Sequence, residues 1–138
     1  MVFEKKKIVA VDDSVIVLKM LQKVLGENYD VHAFSDGTRA LKFLKEKERT
    51  PDLIILDIDM PEINGYEMLK MIKEKEHLKD IPVIFLTSNN DKEHVVKAVS
   101  GGAKDYVVKP IDADILLDKV KAQLSTESDD DSINWDNI

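Results

Sequence analysis

Several short segments of the chain end in side chains that can bind a metal ion or a phosphate group. Asp12 and Asp13 follow an apolar run at residues 7–11, and Asp57 follows another at residues 53–56. Carboxylate oxygens suit Mg²⁺, which typically takes one or two carboxylates, several waters and phosphate oxygens. Because clustered like charges repel one another, three neighbouring carboxylates need a positive partner. These acids predict a site for a hard divalent cation, and Mg²⁺ fits it.

Two further polar side chains follow later apolar runs. Thr87 comes after residues 83–86 and offers a hydroxyl, whereas Lys109 comes after residues 106–108 and offers a compact positive charge suited to phosphate. Each residue alone has an ordinary explanation, since an aspartate after a strand usually forms a cap or a turn and a lysine usually lies in solvent. Their joint position, each just past a different apolar run, favours a single metal-dependent phosphate site.

The elements that must position these side chains alternate between two patterns. Five short apolar runs are continuous rather than alternating, as expected of strands buried on both faces of a parallel sheet. The predicted strands are Lys7–Val11, Tyr29–Phe34, Leu53–Leu56, Val83–Leu86 and Tyr106–Val108. Helical patterns lie between them, which predicts an α/β fold with a parallel sheet and helices on both faces. In such open sheets the chemistry lies beyond the carboxyl ends of the strands.

Five helices are predicted from apolar spacing and capping residues. The first should bury a stripe of Val17, Met20, Leu21 and Val24 and stop at Gly26. The other helices are expected over Thr38–Glu48, from Asn64-Gly65 through Ile72, from an Asp91 cap to Gly101-Gly102, and from an Asp112 cap through Leu124.

The composition fits one folded domain and excludes several classes of protein. The chain has 138 residues, 43% of them hydrophobic, and no cysteine, which excludes thiol chemistry and cysteine-ligated metal sites. We expect a cytoplasmic protein that does not enter a membrane, because no apolar run approaches ~18 residues and no signal-peptide core is present. Of the 27 acidic residues, five lie in residues 125–138, which hold no Lys or Arg. The near-neutral remainder predicts no direct nucleic-acid binding.

Together these motifs make the chain similar to the receiver domains of bacterial response regulators. The matching pieces are Val-Asp-Asp-Ser at 11–14, Leu-Ile-Ile-Leu-Asp-Ile-Asp-Met-Pro at 53–61, Gly65, Leu-Thr-Ser at 86–88 and Lys-Asp-Tyr-Val-Val-Lys-Pro at 104–110. The resemblance covers about residues 5–124. It implies a flavodoxin-like, doubly wound sheet of five parallel strands in the order 2-1-3-4-5. It also implies a phosphoprotein of a two-component system or phosphorelay.

The resemblance implies a role for each acid of the site. Asp57 is implied to be the phosphoacceptor, which receives a phosphoryl group from a histidine kinase or histidine phosphotransfer protein. Asp12, Asp13 and the Asp57 carboxylate are implied to hold Mg²⁺ with the main-chain carbonyl of Asp59. Asp59 and Asn89 also occupy two positions that vary in the family and tune the lifetime of the phosphoryl group. Our hypothesis is that Asp59 affects metal affinity and the access of hydrolytic water.

The resemblance also implies how the phosphoryl group is bound and detected. Thr87 and Lys109 are implied to bind phosphoryl oxygens, and Tyr106 to be an aromatic switch that turns inward when Thr87 moves. A cis peptide bond is expected before Pro110. The implied output surface is the fourth helix, fifth strand and fifth helix, which would bind a downstream protein or an attached output domain. Such a domain is not an enzyme that acts on other substrates, because it catalyses its own phosphotransfer and dephosphorylation. It is implied to be a monomer or a phosphorylation-dependent dimer.

Other functions fit part of the pattern. A haloacid-dehalogenase-like, Mg²⁺-dependent phosphatase also uses Asp-x-Asp after a strand, as at Asp57 and Asp59. That family places its acid pair last rather than first, has Thr or Val where Pro61 lies, and needs a cap domain that does not fit here. A second alternative is an unphosphorylated, receiver-like docking module, although all five key residues are present. A flavin-binding protein is disfavoured because Asp12 and Asp13 would repel the cofactor's phosphate.

The composition changes after Leu124. We expect residues 1–124 to form the receiver domain, and residues 125–138 to form an acidic tail or the start of an interdomain linker. The acidic half favours disorder, whereas Ile133, Trp135 and Ile138 could form a docking segment. The chain is then either a single-domain regulator that works by docking or the receiver part of a longer protein.

Overall fold

The structure, a computed structural model, describes residues 4–88 and 92–125. Within these ranges, five strands and five helices alternate. They are β1 (Lys7–Val11), α1 (Val15–Leu25), β2 (Asp30–Phe34), α2 (Gly37–Leu44), β3 (Leu53–Asp57), α3 (Gly65–Lys73), β4 (Val83–Thr87), α4 (Lys92–Ser100), β5 (Asp105–Val108) and α5 (Ala113–Leu124), with a 3-10 turn at Lys47–Arg49. The strands form one parallel sheet in the order β2-β1-β3-β4-β5. The predicted doubly wound α/β fold and its strand order are confirmed.

Two apolar clusters cover the two faces of the sheet. All residues of β3 and β4 are buried, as expected of strands that are covered on both sides. Successive residues of a strand point to opposite faces, so Ile54 and Phe85 pack with α2, α3 and α4. Ile55 and Ile84 pack with α1 and α5 on the other face. This double cover fixes the height and register of the strands, and therefore the positions of the residues at their ends.

The buried face of α1 differs from the predicted one. Leu18, Leu21 and Leu25 are buried, whereas Val17 and Val24 are only partly buried against the same cluster. The prediction was therefore wrong about the centre of the stripe, although it included Leu21. The three leucines repeat at i, i+3 and i+7, and a leucine buries one more methylene than a valine, so the helix turns the leucines inward.

Helix α2 ends earlier than predicted. It stops at Leu44 rather than at Glu48, and a 3-10 turn follows at Lys47–Arg49. Residues 45–49 are all charged and offer no apolar side chain to the core, so continuing the helix would bury nothing. The predicted Asp91 cap, Asn89 and the tail beyond Ser125 lie outside the described residues.

Candidate functional site

The carboxyl ends of four strands meet at one edge of the sheet and bring the predicted site residues together. Asp57 and Thr87 are the last residues of β3 and β4, rather than the first residues after them, and each is 3% exposed. Asp12 is fully buried just beyond β1, and Lys109 follows β5. The sheet therefore places two acids, a hydroxyl and an ammonium in one region.

Asp12, Asp13 and Asp57 form an acidic cluster. Each offers a carboxylate oxygen, and these oxygens all lie within 4.8 Å of one another. Mg²⁺ binds oxygen at about 2.0–2.1 Å, so these three oxygens would draw closer together to hold the ion. Asp13 is exposed whereas Asp12 and Asp57 are buried. The cluster can therefore be reached from solvent on the Asp13 side.

Lys109 lies between the two buried carboxylates. Its Nζ is 2.8 Å from Asp12 Oδ2 and 3.4 Å from Asp57 Oδ1. The Asp12 contact is a short ion pair between the ammonium and a fully buried carboxylate oxygen. Burial disfavours the charged lysine, but Asp12 and then Asp57 outweigh it and raise the pKa of Lys109. The site therefore keeps a full positive charge and a buried oxygen suited to a metal ion.

Asp57 is held where its charged form is disfavoured. Burial, and after it the charge of Asp12, raises the pKa of Asp57 to about 6, and Lys109 limits the rise. The main-chain N–H of Asp59 donates to Asp57 Oδ1 at 3.3 Å, while the Asp59 side chain is exposed. A bound cation would relieve the remaining repulsion. The oxygen ligands, their spacing and their excess negative charge over the single Lys109 ammonium fit Mg²⁺.

The loops after β1 and β3 hold the acids in place. Asp12 Oδ1 accepts a hydrogen bond from the Ser14 N–H at 2.8 Å, and the Ser14 side chain caps α1. Beyond β3, the Gly65 N–H donates to the Ile58 carbonyl at 2.8 Å. A Cβ atom on Gly65 would lie 2.5 Å from the main-chain oxygen of Asp57. Only glycine therefore lets α3 approach the end of β3 so closely.

Thr87 and Tyr106 border the same narrow space between the sheet and α4. Its other walls are Ile58, His94, Val95 and Ala98. Tyr106 is half-buried and packs against the apolar cluster on that face. The peptide bond between Lys109 and Pro110 is cis, as the resemblance implied.

Two residues beside Tyr106 were not found by reasoning from the sequence. Asp105 on β5 and Lys119 on α5 form an ion pair of 2.9 Å. They are far apart in the sequence and belong to different elements, so no local sequence pattern predicts the pair. Only the packing of α5 against β5 brings the two side chains together.

Comparison with known proteins agrees with this fold. The family model for the response regulator receiver domain matches residues 8–121. The chain therefore belongs to the response regulator receiver domains of two-component systems. No helix in the described ranges has the length and apolar character needed to cross a membrane.

Individual relatives cover most of this chain. It is 33% identical over 127 residues to the DNA-binding response regulator MtrA of Mycobacterium tuberculosis, covering 91% of this chain and 54% of MtrA. The chemotaxis protein CheY4 of Vibrio cholerae superposes with a TM-score of 0.81 at 30% identity, covering 87% of this chain and 99% of CheY4. The BeF3-activated receiver domain of DrrB, a Thermotoga maritima protein, superposes with a TM-score of 0.79 at 36% identity, covering 88% of this chain and 98% of that chain. The chain spans between 17% and 54% of the length of such curated relatives.

Proposed function

We propose that this receiver domain accepts a phosphoryl group on Asp57 from a phosphohistidine of a kinase or phosphotransfer protein. The supporting observation is the position of Asp57, at the end of β3 beside the acidic cluster and 3.4 Å from the Lys109 ammonium. In the transfer, a carboxylate oxygen of Asp57 attacks phosphorus while the bond from phosphorus to the histidine nitrogen breaks. Water later cleaves the acyl phosphate and restores the carboxylate.

The surrounding side chains have complementary roles in this proposal. Asp12, Asp13 and Asp57 hold Mg²⁺, with the main-chain carbonyl of Asp59 as a further ligand. The bound ion supplies positive charge that offsets the acids and the transferring group. Lys109 contacts a phosphoryl oxygen, since it already lies beside Asp57 Oδ1. The hydroxyl of Thr87, on the neighbouring strand β4, binds another phosphoryl oxygen.

We also propose that Tyr106 turns inward when Thr87 engages the phosphoryl group, and that α4, β5 and α5 carry the output. In support, Thr87 and Tyr106 share one narrow space. Val96, Val99 and Ile115 on α4 and α5 are 53%, 57% and 50% exposed, so this surface offers apolar side chains that a partner can bury. A downstream protein, an attached output domain or a second receiver could cover this surface.

The domain limits remain part of the proposal. Residues 1–124 form the receiver and residues 125–138 an acidic tail or the start of a linker. MtrA is named as DNA-binding, but the near-neutral receiver of this chain is proposed to contact proteins in the cytoplasm rather than nucleic acid.

The proposal is tested by incubating the protein with acetyl phosphate and measuring its intact mass. Addition of one phosphoryl group is expected with Mg²⁺ and not with EDTA. Asp57→Asn should abolish the addition, whereas the matched control Asp52→Asn, an exposed acid at the opposite end of β3, should label normally. Unlabelled wild type would indicate a docking module instead. Catalytic turnover of a small phosphomonoester would indicate a phosphatase.

A further inference from the structure

Lys119 on α5 makes three contacts at the strand that carries Tyr106. Its Nζ donates to Asp105 Oδ1 at 2.9 Å and to the main-chain oxygen of Tyr106 at 2.6 Å. The same Nζ lies 4.8 Å from the centroid of the Tyr106 ring. The side chains of Lys119 and Asp105 are both less than one-third exposed. The ammonium is thus partly withdrawn from water, which strengthens its contact with the ring.

The backbone of Tyr106 depends on the same ion pair. β5 is an edge strand of the sheet, and an edge strand leaves main-chain groups without a neighbouring strand. The Tyr106 N–H donates to Asp105 Oδ1 at 2.8 Å, and its carbonyl accepts from Lys119. The N–H, the carbonyl and the ring of Tyr106 therefore all contact Asp105 or Lys119.

Tyr106 borders two spaces. One is the narrow space that it shares with Thr87. The other is a groove that Lys119 and Ile115 also line. Lys119 lines this groove and not the space shared with Thr87. A movement of the ring toward Thr87 should therefore weaken its cation–π contact with the Lys119 ammonium.

We propose that Lys119 is a positioning residue that holds the Tyr106 ring on the α5 side and so sets how readily the ring turns inward. This inference rests on the proposed switch role of Tyr106. A cation–π contact at a partly exposed site shifts an equilibrium by about two- to tenfold. Removing the Lys119 charge should therefore favour the inward ring by that factor and leave the acidic cluster unchanged.

The test is a double-mutant cycle on the apparent affinity for beryllofluoride with Mg²⁺, a mimic of the phosphoryl group. Lys119→Met keeps most of the length of the side chain and removes its charge. It should bind beryllofluoride about two- to tenfold more tightly, because a larger fraction of the protein is already in the binding-competent state. Lys119→Arg should restore wild-type affinity, since arginine keeps the charge and also stacks on rings. Lys121→Met, which changes an exposed side chain on the same helix, is the matched control.

The ring itself decides between positioning and a merely structural role. In a Tyr106→Ala background, Lys119→Met should leave the affinity unchanged, because the proposed effect acts through the ring contact and that contact is already absent. An equal effect with and without the ring, or no effect in either background, overturns the inference.

A fluorine NMR measurement separates this inference from the proposed function. The chain has three tyrosines, so fluorotyrosine labelling with Tyr106→Phe assigns the Tyr106 signal. Beryllofluoride should shift that signal in the wild type, and Lys119→Met alone should shift it part-way. If beryllofluoride binds but the wild-type signal stays, the switch role of Tyr106 is wrong. If beryllofluoride does not bind, the phosphoacceptor proposal is wrong.

Discussion

Lys109 Nζ lies 2.8 Å from Asp12 Oδ2, closer than the 3.4 Å that separates it from Asp57 Oδ1. The site lysine thus neutralises a fully buried acid and only partly neutralises the proposed phosphoacceptor. A phosphoryl oxygen on Asp57 would share this ammonium with Asp12. Binding of phosphate and neutralisation of Asp12 are therefore linked through one ammonium.

Lys109→Met should lower both the stability of the domain and the rate of phosphorylation. Without the ammonium, Asp12 and Asp57 lose their nearest positive charge, and we expect the free energy of unfolding in EDTA to fall by about 1–3 kcal/mol. Mg²⁺ should recover much of that loss, whereas labelling by acetyl phosphate should slow by at least about tenfold. Urea denaturation with EDTA and with Mg²⁺ measures the stability. Unchanged stability in EDTA would contradict the pairing.

Asp57→Asn should stabilise the metal-free protein. The amide removes one of three clustered negative charges from a buried site, and we expect a gain of about 1–2 kcal/mol in EDTA. Asp13→Asn is the control at the same cluster, and its gain should be smaller because Asp13 is exposed. Mg²⁺ should then stabilise Asp57→Asn less than the wild type. Denaturation midpoints report the stability of the wild type and of the two variants. If Asp57→Asn is less stable than the wild type in EDTA, the like-charge argument is contradicted.

Gly65→Ala should disturb both stability and the site. The added Cβ would lie 2.5 Å from the main-chain oxygen of Asp57, so α3 or the end of β3 must move, at a cost of about 1–3 kcal/mol. Gly37→Ala is the matched control, because its Cβ would come no closer than 3.4 Å to side-chain atoms. Gly65→Ala should lower the unfolding temperature and slow labelling by acetyl phosphate, whereas Gly37→Ala should change neither. Equal behaviour of the two variants would show that the close approach is unimportant.

Asp59→Asn should change the lifetime of the phosphoryl group. The Asp59 side chain is exposed next to Asp57, where a carboxylate can orient hydrolytic water and add negative charge near the metal ligands. We expect dephosphorylation to slow by about two- to tenfold and Mg²⁺ affinity to fall. The decay of the labelled protein at saturating Mg²⁺ measures the first effect. Equal decay rates for the wild type and Asp59→Asn would defeat the hypothesis.

The alternation of strands and helices and most of the site could be predicted because both depend on local patterns, whereas the strand order was implied by the family resemblance. Continuous apolar runs indicated the strands, and the rule that strand ends share an edge brought Asp12, Asp57, Thr87 and Lys109 together. The register of the sheet then determines only small details, such as the inclusion of Asp57 and Thr87 within their strands.

The rest depends on packing that the sequence does not display. The face that α1 buries was misplaced because valines and leucines give overlapping helical stripes. The preference of Lys109 for Asp12 follows from distances of a few tenths of an ångström. The pairing of Asp105 with Lys119 requires α5 to be docked on β5, and neither residue differs by type from an ordinary solvent-exposed charge.

The most direct measurement is to locate the phosphoryl group after transfer from a phosphohistidine donor. Borohydride converts an aspartyl phosphate to homoserine, which peptide mass spectrometry then assigns to one residue. We expect homoserine at position 57 when Mg²⁺ is present, and an unmodified chain when EDTA replaces it. A modification at any other acid, or Mg²⁺-independent modification at Asp57, would contradict the proposed site.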